Sequence, residues 1–575
     1  MTEYQTLREA LTYEPVPSRF GTSGVRALVS DLTDLEVYCL TLGTLRYLEQ
    51  AGTLRCDNRE DMPIPVAGDL RPSSERLLGA TLRAIRDKGF KAVYCGRIPT
   101  PALTYFGLEG RTASFVVTGS HIPANRNGQK ANRCDGEVLK SDEAGIVAAV
   151  EAARGEQYAR DFASSAFDAA GMLKPGFRIE VPVVDDGARS AYLSRYRAVF
   201  PEHALKGMRI VFFQYSAVGR DLFPVILERA GAEVIRAGRS DEFVPIDTEA
   251  ISDSHLAMLE FLVLEARSTH GHVDAIVSTD GDSDRPLVVG VEDTPDGGVS
   301  LRFFPGDLLG ILVADYLRAD AASVPISANP AVAAFFSEKG IEVRKTRIGS
   351  PFVIESMQAS IAEGKGRVVS WEANGGFLVG TDLTMGDAVL KALPTRDAAL
   401  PILCVLHTAA KRGGTLHQVF DALPGWYGKA DLLDDFPREI SQAIIARYHP
   451  ETENVQWVDF GKDRVTLRDI DEKVVGERKS DSPGSVLYQK WKCELEALFT
   501  TALGFGELTR LNVQDGIRCY FANGDIAHIR PSGNAPQLRI YAHARSQERA
   551  EEIARMGVAE PDGILRSAQA FMENL

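Results

Sequence analysis

Short apolar runs recur along this chain without the alternation of a half-exposed strand. Each gives way to a loop of small polar residues and then to a stretch with apolar positions three and four apart. The first run starts at Ile64 and leads through Gly68-Asp69-Leu70-Arg71-Pro72-Ser73-Ser74 to a helix face formed by Leu77, Leu78, Thr81, Leu82 and Ile85. That helix closes at Lys88-Gly89-Phe90, and Ala92-Val93-Tyr94-Cys95 reads as the next strand. The same order returns from Arg209-Ile210-Val211-Phe212-Phe213 through the loop Tyr215 to Gly219, a helix ending at Ala230-Gly231, and the strand Glu233-Val234-Ile235. It returns again from Val324-Pro325-Ile326-Ser327 through Ala328-Asn329-Pro330, a helix over Ala333 to Lys339, Gly340, and Ile341-Glu342-Val343. A glycine just past a helix takes the left-handed conformation without a Cβ clash. Runs that are apolar throughout predict strands covered on both faces, hence sheets with parallel pairs. The pattern therefore predicts an α/β protein with three related α/β domains, each a mixed sheet packed by helices.

From Leu423-Pro424-Gly425-Trp426 onward the chain is more charged and less periodic. Ile517 to Phe521, a turn at Asn523-Gly524-Asp525, and Ile526 to Ile529 read as a hairpin, because Asn-Gly suits the left-handed turn residues such a connection needs. Leu538 to Ala542 reads as a further strand and Ser546 to Met556 as a helix. These elements predict a smaller C-terminal α+β domain.

A length of 575 residues exceeds what one core supports, so three or four domains are expected. The net charge of -15 excludes a general nucleic-acid binder, which needs a basic stripe to neutralise phosphates. No apolar run approaches the length of a membrane helix, and the start at Met1-Thr2-Glu3-Tyr4 shows no signal peptide. Seven cysteines without a CxxC pair read as free thiols of a reducing cytoplasm. A cytoplasmic enzyme without nucleic-acid or membrane partners is expected; no feature sets an oligomeric state.

Four loops carry candidate chemistry. Thr118-Gly119-Ser120-His121-Ile122-Pro123 places a serine beside a histidine after an apolar run, with Lys130 close behind. A serine needs a base or a metal to become a nucleophile; the other reading is a solvated turn. Asp280-Gly281-Asp282-Ser283-Asp284-Arg285 puts three carboxylates at alternate positions, so that all three can face one hard cation. Three like charges in one loop repel without a cation, and an EF-hand fails because its sixth and twelfth positions would be Arg285 and Val291. Arg285 either meets a phosphate or balances the aspartates. Trp371-Glu372-Ala373-Asn374-Gly375-Gly376 offers a carboxylate and a carboxamide for sugar hydroxyls, or is a plain exposed loop. Arg530-Pro531-Ser532-Gly533-Asn534-Ala535-Pro536 is a donor-rich turn of the kind that cradles phosphate, or an ordinary connection.

Taken in order, and with Phe20-Gly21-Thr22-Ser23-Gly24-Val25-Arg26 near the start, these motifs resemble the α-D-phosphohexomutase superfamily, the phosphoglucomutase/phosphomannomutase group. The resemblance spans nearly the whole chain. It implies four domains around a central cleft, each giving one loop: 1–178 with a phosphoserine loop, 179–302 with a metal loop, 303–424 with a sugar-recognition loop, and 425–575 with a phosphate-binding loop. On matching positions, Ser120 resembles the phosphorylated serine, which also supplies an oxygen to the metal. Asp280, Asp282 and Asp284 resemble the Mg²⁺ ligands, and Lys130 the general base or acid. Arg26, Arg285 and His121 fall among the catalytic positions. Glu372 and Asn374 fall in the sugar loop; Arg530, Ser532, Gly533 and Asn534 fall in the phosphate loop. Ile122, Asn374 and Asn534-Ala535 depart from commoner family residues, and none of them removes the nucleophile, a metal ligand or the phosphate-loop arginine.

The implied activity is an isomerase of carbohydrate metabolism, a phosphoprotein that interconverts hexose 1-phosphate and hexose 6-phosphate. A hexose 1,6-bisphosphate serves as intermediate and activator, and mannose phosphates are favoured. A phosphoglucomutase is the alternative. A metal-dependent sugar-phosphate phosphatase acting through the same phosphoserine is a more remote one, and a silent sugar-phosphate-binding protein would need a broken loop.

Overall fold

The computed structural model describes residues 5–574 except 18, 22–23, 55–58, 250, 451, 453 and 533–535. The chain divides into two compact units. One comprises Met1–Ser323, Ile341–Arg344 and Gly349–Ala422; the other comprises Val324–Gly340, Lys345–Ile348 and Leu423–Leu575.

The first unit holds two sheets of one pattern and most of a third. In the first, the strands run Lys91–Tyr94, Pro63–Gly68, Ser114–Val117, Arg126–Arg133, Val25–Leu28, with Gly136–Glu137 paired to Arg126–Arg133. Pro63–Gly68 is parallel to both Lys91–Tyr94 and Ser114–Val117; Arg126–Arg133 returns antiparallel, and Val25–Leu28 closes the edge antiparallel. In the second sheet the order is Glu233–Arg239, Arg209–Tyr215, Ala275–Thr279, Pro286–Asp293, Val299–Phe303, with the same two parallel and two antiparallel pairings. The third has Glu342–Thr346, Ala321–Pro325, Val368–Trp371, Phe377–Val379, Leu393–Asp397, and its last three strands repeat the antiparallel return.

The repeat expected from the apolar runs is therefore present, and each helix between the first two strands ends as anticipated: Gly89, Gly231 and Gly340 all have positive φ. Strands Ser114–Val117, Ala275–Thr279 and Val368–Trp371 are buried at every position, as strands covered on both faces must be. Ile64, Val66, Phe115 and Val117 pack on Leu77, Leu78, Leu82 and Ile85 of the helix Ser74–Asp87. Val211, Phe213, Ile276 and Val289 pack on Leu259, Leu262 and Val263 of Asp253–His270.

The second unit contains one antiparallel sheet of eight strands. Their order is Tyr427–Leu433, Leu538–Ala544, Ile526–Pro531, Ile517–Phe521, Leu508–Asn512, Trp457–Phe460, Arg464–Arg468, Val474–Lys479. The hairpin about Asn523-Gly524 and the strand beginning at Leu538 appear where the sequence predicts them. The strands between 457 and 479 are absent from the sequence reading, because charged residues interrupt their apolar positions and the outermost, Val474–Lys479, buries none of its residues. Trp491, Leu495, Ile553 and Leu565 from three helices cover one face of this sheet.

Helices Asp34–Gln50 and Glu143–Tyr158 of the first unit meet at Gly43, where a Cβ would lie 2.5 Å from the Cα and N of Val150. Backbone cannot give way as a side chain can. Gly43→Ala gains about 1 kcal/mol of helix propensity but forces the helices apart, so overpacking of about 1–3 kcal/mol prevails. The expected outcome is a lower unfolding midpoint for this variant, read by thermal or urea denaturation of the full chain.

Candidate active site

Three of the loops singled out in the sequence follow the equivalent strand of each sheet. The Ser120 loop follows Ser114–Val117, the Asp280 loop follows Ala275–Thr279, and the Glu372 loop follows Val368–Trp371. Ligand sites of α/β sheets gather at such carboxyl ends.

The structure brings the first two loops into contact. Ser120 is fully buried, and its Oγ donates to Asp280 Oδ2 at 2.8 Å, with His121 Nδ1 3.3 Å away. Ser120 has φ +55°, a left-handed backbone that costs a non-glycine residue about 1–3 kcal/mol. What holds it there is Arg71, a residue the sequence reading placed in a loop without assigning it a role. Its guanidinium donates to the carbonyls of Ser120, Ile122, Pro123 and Arg126, and through Nε to Asp69. Asp69 in turn accepts from Thr118 Oγ1 and the Gly119 amide, and Thr118 Oγ1 accepts from the Ser120 amide. Phe243 lies 4.0 Å from the Arg71 guanidinium. Gly119 is required because a Cβ there would sit 2.6 Å from the guanidinium carbon; at Gly281 it would sit 2.6 Å from the Ser120 carbonyl oxygen.

Asp280, Asp282 and Asp284 are all buried, and each offers a carboxylate oxygen within 4.8 Å of the others. Asp280 Oδ1 accepts the amides of Asp284 and Arg285, which folds the loop on itself. Lys130 lies on the antiparallel return strand opposite Val116, and its Nζ donates to Asp282 Oδ2 at 2.6 Å and Asp284 Oδ2 at 2.7 Å. Thr100 Oγ1 also donates to Asp282 Oδ2. Asp282 Oδ1 and Asp284 Oδ1 are buried with no hydrogen-bond partner among the described residues. Burial pushes Asp280 well above the usual carboxylate range, and the charges of Asp282 and Asp284 add to the effect. Burial opposes ionisation of Asp282 as well, but the Lys130 ammonium outweighs it and holds Asp282 low. Asp284 is likewise held low against burial, chiefly by Arg396. Bare oxygens on a buried acidic group whose third member resists ionisation fit a hard cation, so the group forms a metal-type site.

Arginines complete the surroundings. Arg26, on the edge strand Val25–Leu28, is buried, and all three of its guanidinium nitrogens lack hydrogen-bond partners among the described residues. Burial and the neighbouring Arg285 push it down to about 10, so it stays charged at neutral pH. A desolvated cation in that state calls for an anion. Arg285 lies 3.8–3.9 Å from carboxylates of Asp247, Asp280 and Asp284. Asp247 also faces His121 Nε2 at 3.9 Å, and the neighbouring Thr248 hydroxyl donates to the Asn374 carbonyl.

In the third loop, Glu372 Oε2 accepts from Arg396 NH1 at 3.1 Å, and Asn374 Oδ1 accepts from the Gly376 amide at 3.0 Å. Asn374 thus spends its acceptor within the loop. Arg396 was not foreseen; its only signal is a charged pair, Arg396-Asp397, in a strand buried at four of its five positions. Asp247 and Phe243 lie in a segment without regular structure and have no sequence signal of their own. In the second unit, Arg530 Nε donates to Asp515 Oδ1 at 2.8 Å, and the Ser532 amide donates to the Gln537 carbonyl. Gly533 and Asn534 lie outside the described residues.

Comparison with known proteins assigns this architecture. The family models described as phosphoglucomutase/phosphomannomutase match as alpha/beta/alpha domain I over residues 17–157, alpha/beta/alpha domain III over 305–427, and C-terminal domain over 489–559. The chain is 34% identical over 550 residues to a phosphomannomutase of Sinorhizobium fredii, spanning 94% of this chain and 98% of the relative. It is 34% identical over 537 residues to a phosphomannomutase of Salmonella muenchen, 93% of either chain. The fold is similar to that of a crystallised phosphoglucomutase/phosphomannomutase family protein of Burkholderia thailandensis, with a TM-score of 0.61 and 15% identity over 97% of this chain and 98% of that one. The chain belongs to the phosphoglucomutase/phosphomannomutase family and is an isomerase, a phosphohexomutase. These relatives are mutases, which does not favour the phosphatase alternative. Among the described residues no helix is long and apolar enough to cross a membrane.

Arg71→Ala takes the guanidinium from four loop carbonyls and leaves the buried Asp69 carboxylate without its ion-pair partner. Loss of one partner of a buried ion pair costs about 3–5 kcal/mol. The variant is expected to lose about 3–5 kcal/mol of unfolding free energy in a denaturant titration, and what remains folded should turn over poorly because Ser120 relaxes from its left-handed backbone.

Proposed function

We propose that this enzyme is a phosphomannomutase that carries the transferring phosphoryl group on Ser120. The observation that carries the reading is the 2.8 Å bond from Ser120 Oγ to Asp280, in a pocket that also holds two bare carboxylate oxygens and the unpartnered Arg26 guanidinium. The substrates are mannose 1-phosphate and mannose 6-phosphate, with mannose 1,6-bisphosphate as intermediate and activator. Identity to phosphomannomutases over nearly the whole chain supports mannose over glucose. The chain is organised as four domains, 1–178, 179–302, 303–424 and 425–575, and all six described cysteines are free thiols, in keeping with a cytoplasmic enzyme.

In the forward half-reaction the bond between phosphorus and Ser120 Oγ breaks and a bond forms to the free hydroxyl of the hexose phosphate. The electron pair stays on Oγ, and the hydroxyl proton is given up. Lys130 Nζ, as the neutral amine once a bound cation balances Asp282 and Asp284, takes that proton and returns it to Oγ as the transfer completes. The bisphosphate then presents its other phosphate, and Ser120 takes it back by the same step reversed. Arg26 and Arg285 hold charge on the transferring group, and His121 lines the approach to Oγ. Glu372 and Asn374 orient sugar hydroxyls, while Arg530, Ser532, Gly533 and Asn534 hold the phosphate that does not react. Mg²⁺, which prefers oxygen ligands, would be held by Asp280, Asp282, Asp284 and the phosphorylated Ser120, and would supply Lewis-acid charge to the phosphoryl group.

Intact-mass analysis of the purified enzyme incubated with bisphosphate is expected to show one added phosphate, and Ser120→Ala to show none and to lose turnover. Near-normal turnover of that variant would falsify the serine assignment. In a coupled assay, mannose 1-phosphate should give a higher kcat/KM than glucose 1-phosphate or glucosamine 1-phosphate. Chelation of divalent ions should stop turnover, and added Mg²⁺ should restore it.

A further inference from the structure

Arg396 and Arg26 occupy corresponding places in the fold, each on the antiparallel edge strand beside the return strand of its sheet. Their surroundings differ. Arg26 has no hydrogen-bond partner among the described residues, whereas Arg396, only 2% exposed, is committed on both sides. Its Nε and NH2 reach Asp284 Oδ2 at 3.1 and 2.9 Å, and its NH1 reaches Glu372 Oε2 at 3.1 Å. One rigid guanidinium therefore spans the acidic loop and the sugar loop, which come from different sheets. Asp284 Oδ1, which accepts no hydrogen bond among the described residues and has Arg285 Nε 3.8 Å away, is the one Arg396 does not touch. On Glu372 the oxygen that Arg396 reaches is Oε2 and not Oε1. The fork thus occupies one oxygen of each carboxylate and leaves the other out of its reach. A lysine ammonium cannot do this, because it is a point charge without a planar fork.

We propose that Arg396 is a positioning residue for the mutase reaction, setting Asp284 for the metal and Glu372 for the sugar as one unit, so that a change at either loop is felt at the other. This rests on the phosphohexomutase reading of the same site. It assigns Arg396 no contact with the transferring phosphoryl group: its donors are used, whereas those of Arg26 are not.

The test is Arg396→Lys, which keeps the charge and removes the fork. Mg²⁺ binding is read without turnover, from the rise in melting temperature with Mg²⁺ concentration, alongside KM and kcat for mannose 1-phosphate. The expected result is a Mg²⁺ midpoint raised at least threefold and a KM raised about tenfold, with a smaller loss in kcat and with Ser120 still taking one phosphate by intact mass. Both midpoint and KM within twofold of wild type would overturn the proposal. A role confined to stability would lower the melting temperature and leave the Mg²⁺ midpoint of the folded protein in place. If R396K does not fold, Glu372→Asp reads the link from the other end. It keeps the charge but withdraws the acceptor from NH1, and it should shift the Mg²⁺ midpoint at least threefold, since among the described residues Arg396 is what joins Glu372 to Asp284; an unchanged midpoint would overturn the link. Failure of wild-type Ser120 to take phosphate would instead overturn the reading of the reaction, whatever Arg396 does.

Discussion

A serine hydroxyl and an aspartate carboxylate, 160 residues apart in the chain, share a hydrogen bond in the interior of the first unit. Burying those two groups is costly unless each is fully bonded, and much of the surrounding structure meets that condition. Arg71 gathers the carbonyls that a left-handed serine turns inward, and Asp69 neutralises Arg71. Gly119 and Gly281 let backbone approach guanidinium and carbonyl more closely than any Cβ allows. On the acidic side, Lys130, Arg285 and Arg396 balance Asp280, Asp282, Asp284 and Glu372. In a medium of low dielectric such a group is stable only when its charges are paired. Among the described residues, Asp282 Oδ1, Asp284 Oδ1 and the Arg26 guanidinium are where hydrogen bonding is incomplete, and there the proposed cation and phosphoryl group would complete it.

The repeated sheet explains how this arrangement comes about. In each copy the third strand is followed by a tight loop and an antiparallel return. The loops bearing Ser120, Asp280 and Glu372 are therefore corresponding features of three sheets, differing in the chemistry of a few side chains. The return strand brings Lys130 back beside the loop it follows, and the edge strands deliver Arg26 and Arg396. Among the described residues one guanidinium has no hydrogen-bond partner and the other joins two carboxylates, through differences in what faces them.

Much of this was legible before any coordinates. The apolar runs, the closing glycines and the Asn523-Gly524 turn act locally, through backbone sterics and burial, and local effects are written in local sequence. The same holds for the alternating aspartates, whose mutual repulsion in one short loop already asks for a cation. Arg71, Phe243, Asp247 and Arg396 were not legible as site residues, because each acts on a partner distant in the chain. Arg396 lies 112 residues from Asp284, and Arg71 lies 49 from Ser120. The strands between 457 and 479 were missed for another reason: charged residues break their short apolar runs, and Val474–Lys479 is exposed, so they do not carry the apolar signature of covered strands.

Sequence alone determined the class of fold, the identity of the nucleophile candidate and the set of acids that could hold a metal, because these depend on residue type and near-neighbour spacing. Only the tertiary structure decided that Ser120 and Asp280 meet, that Lys130 lies between two of the aspartates, and that Arg396 joins the acidic loop to the sugar loop. Those are long-range contacts. They follow from the packing of whole sheets, which sums many weak apolar contacts, and no short stretch of chain contains that sum.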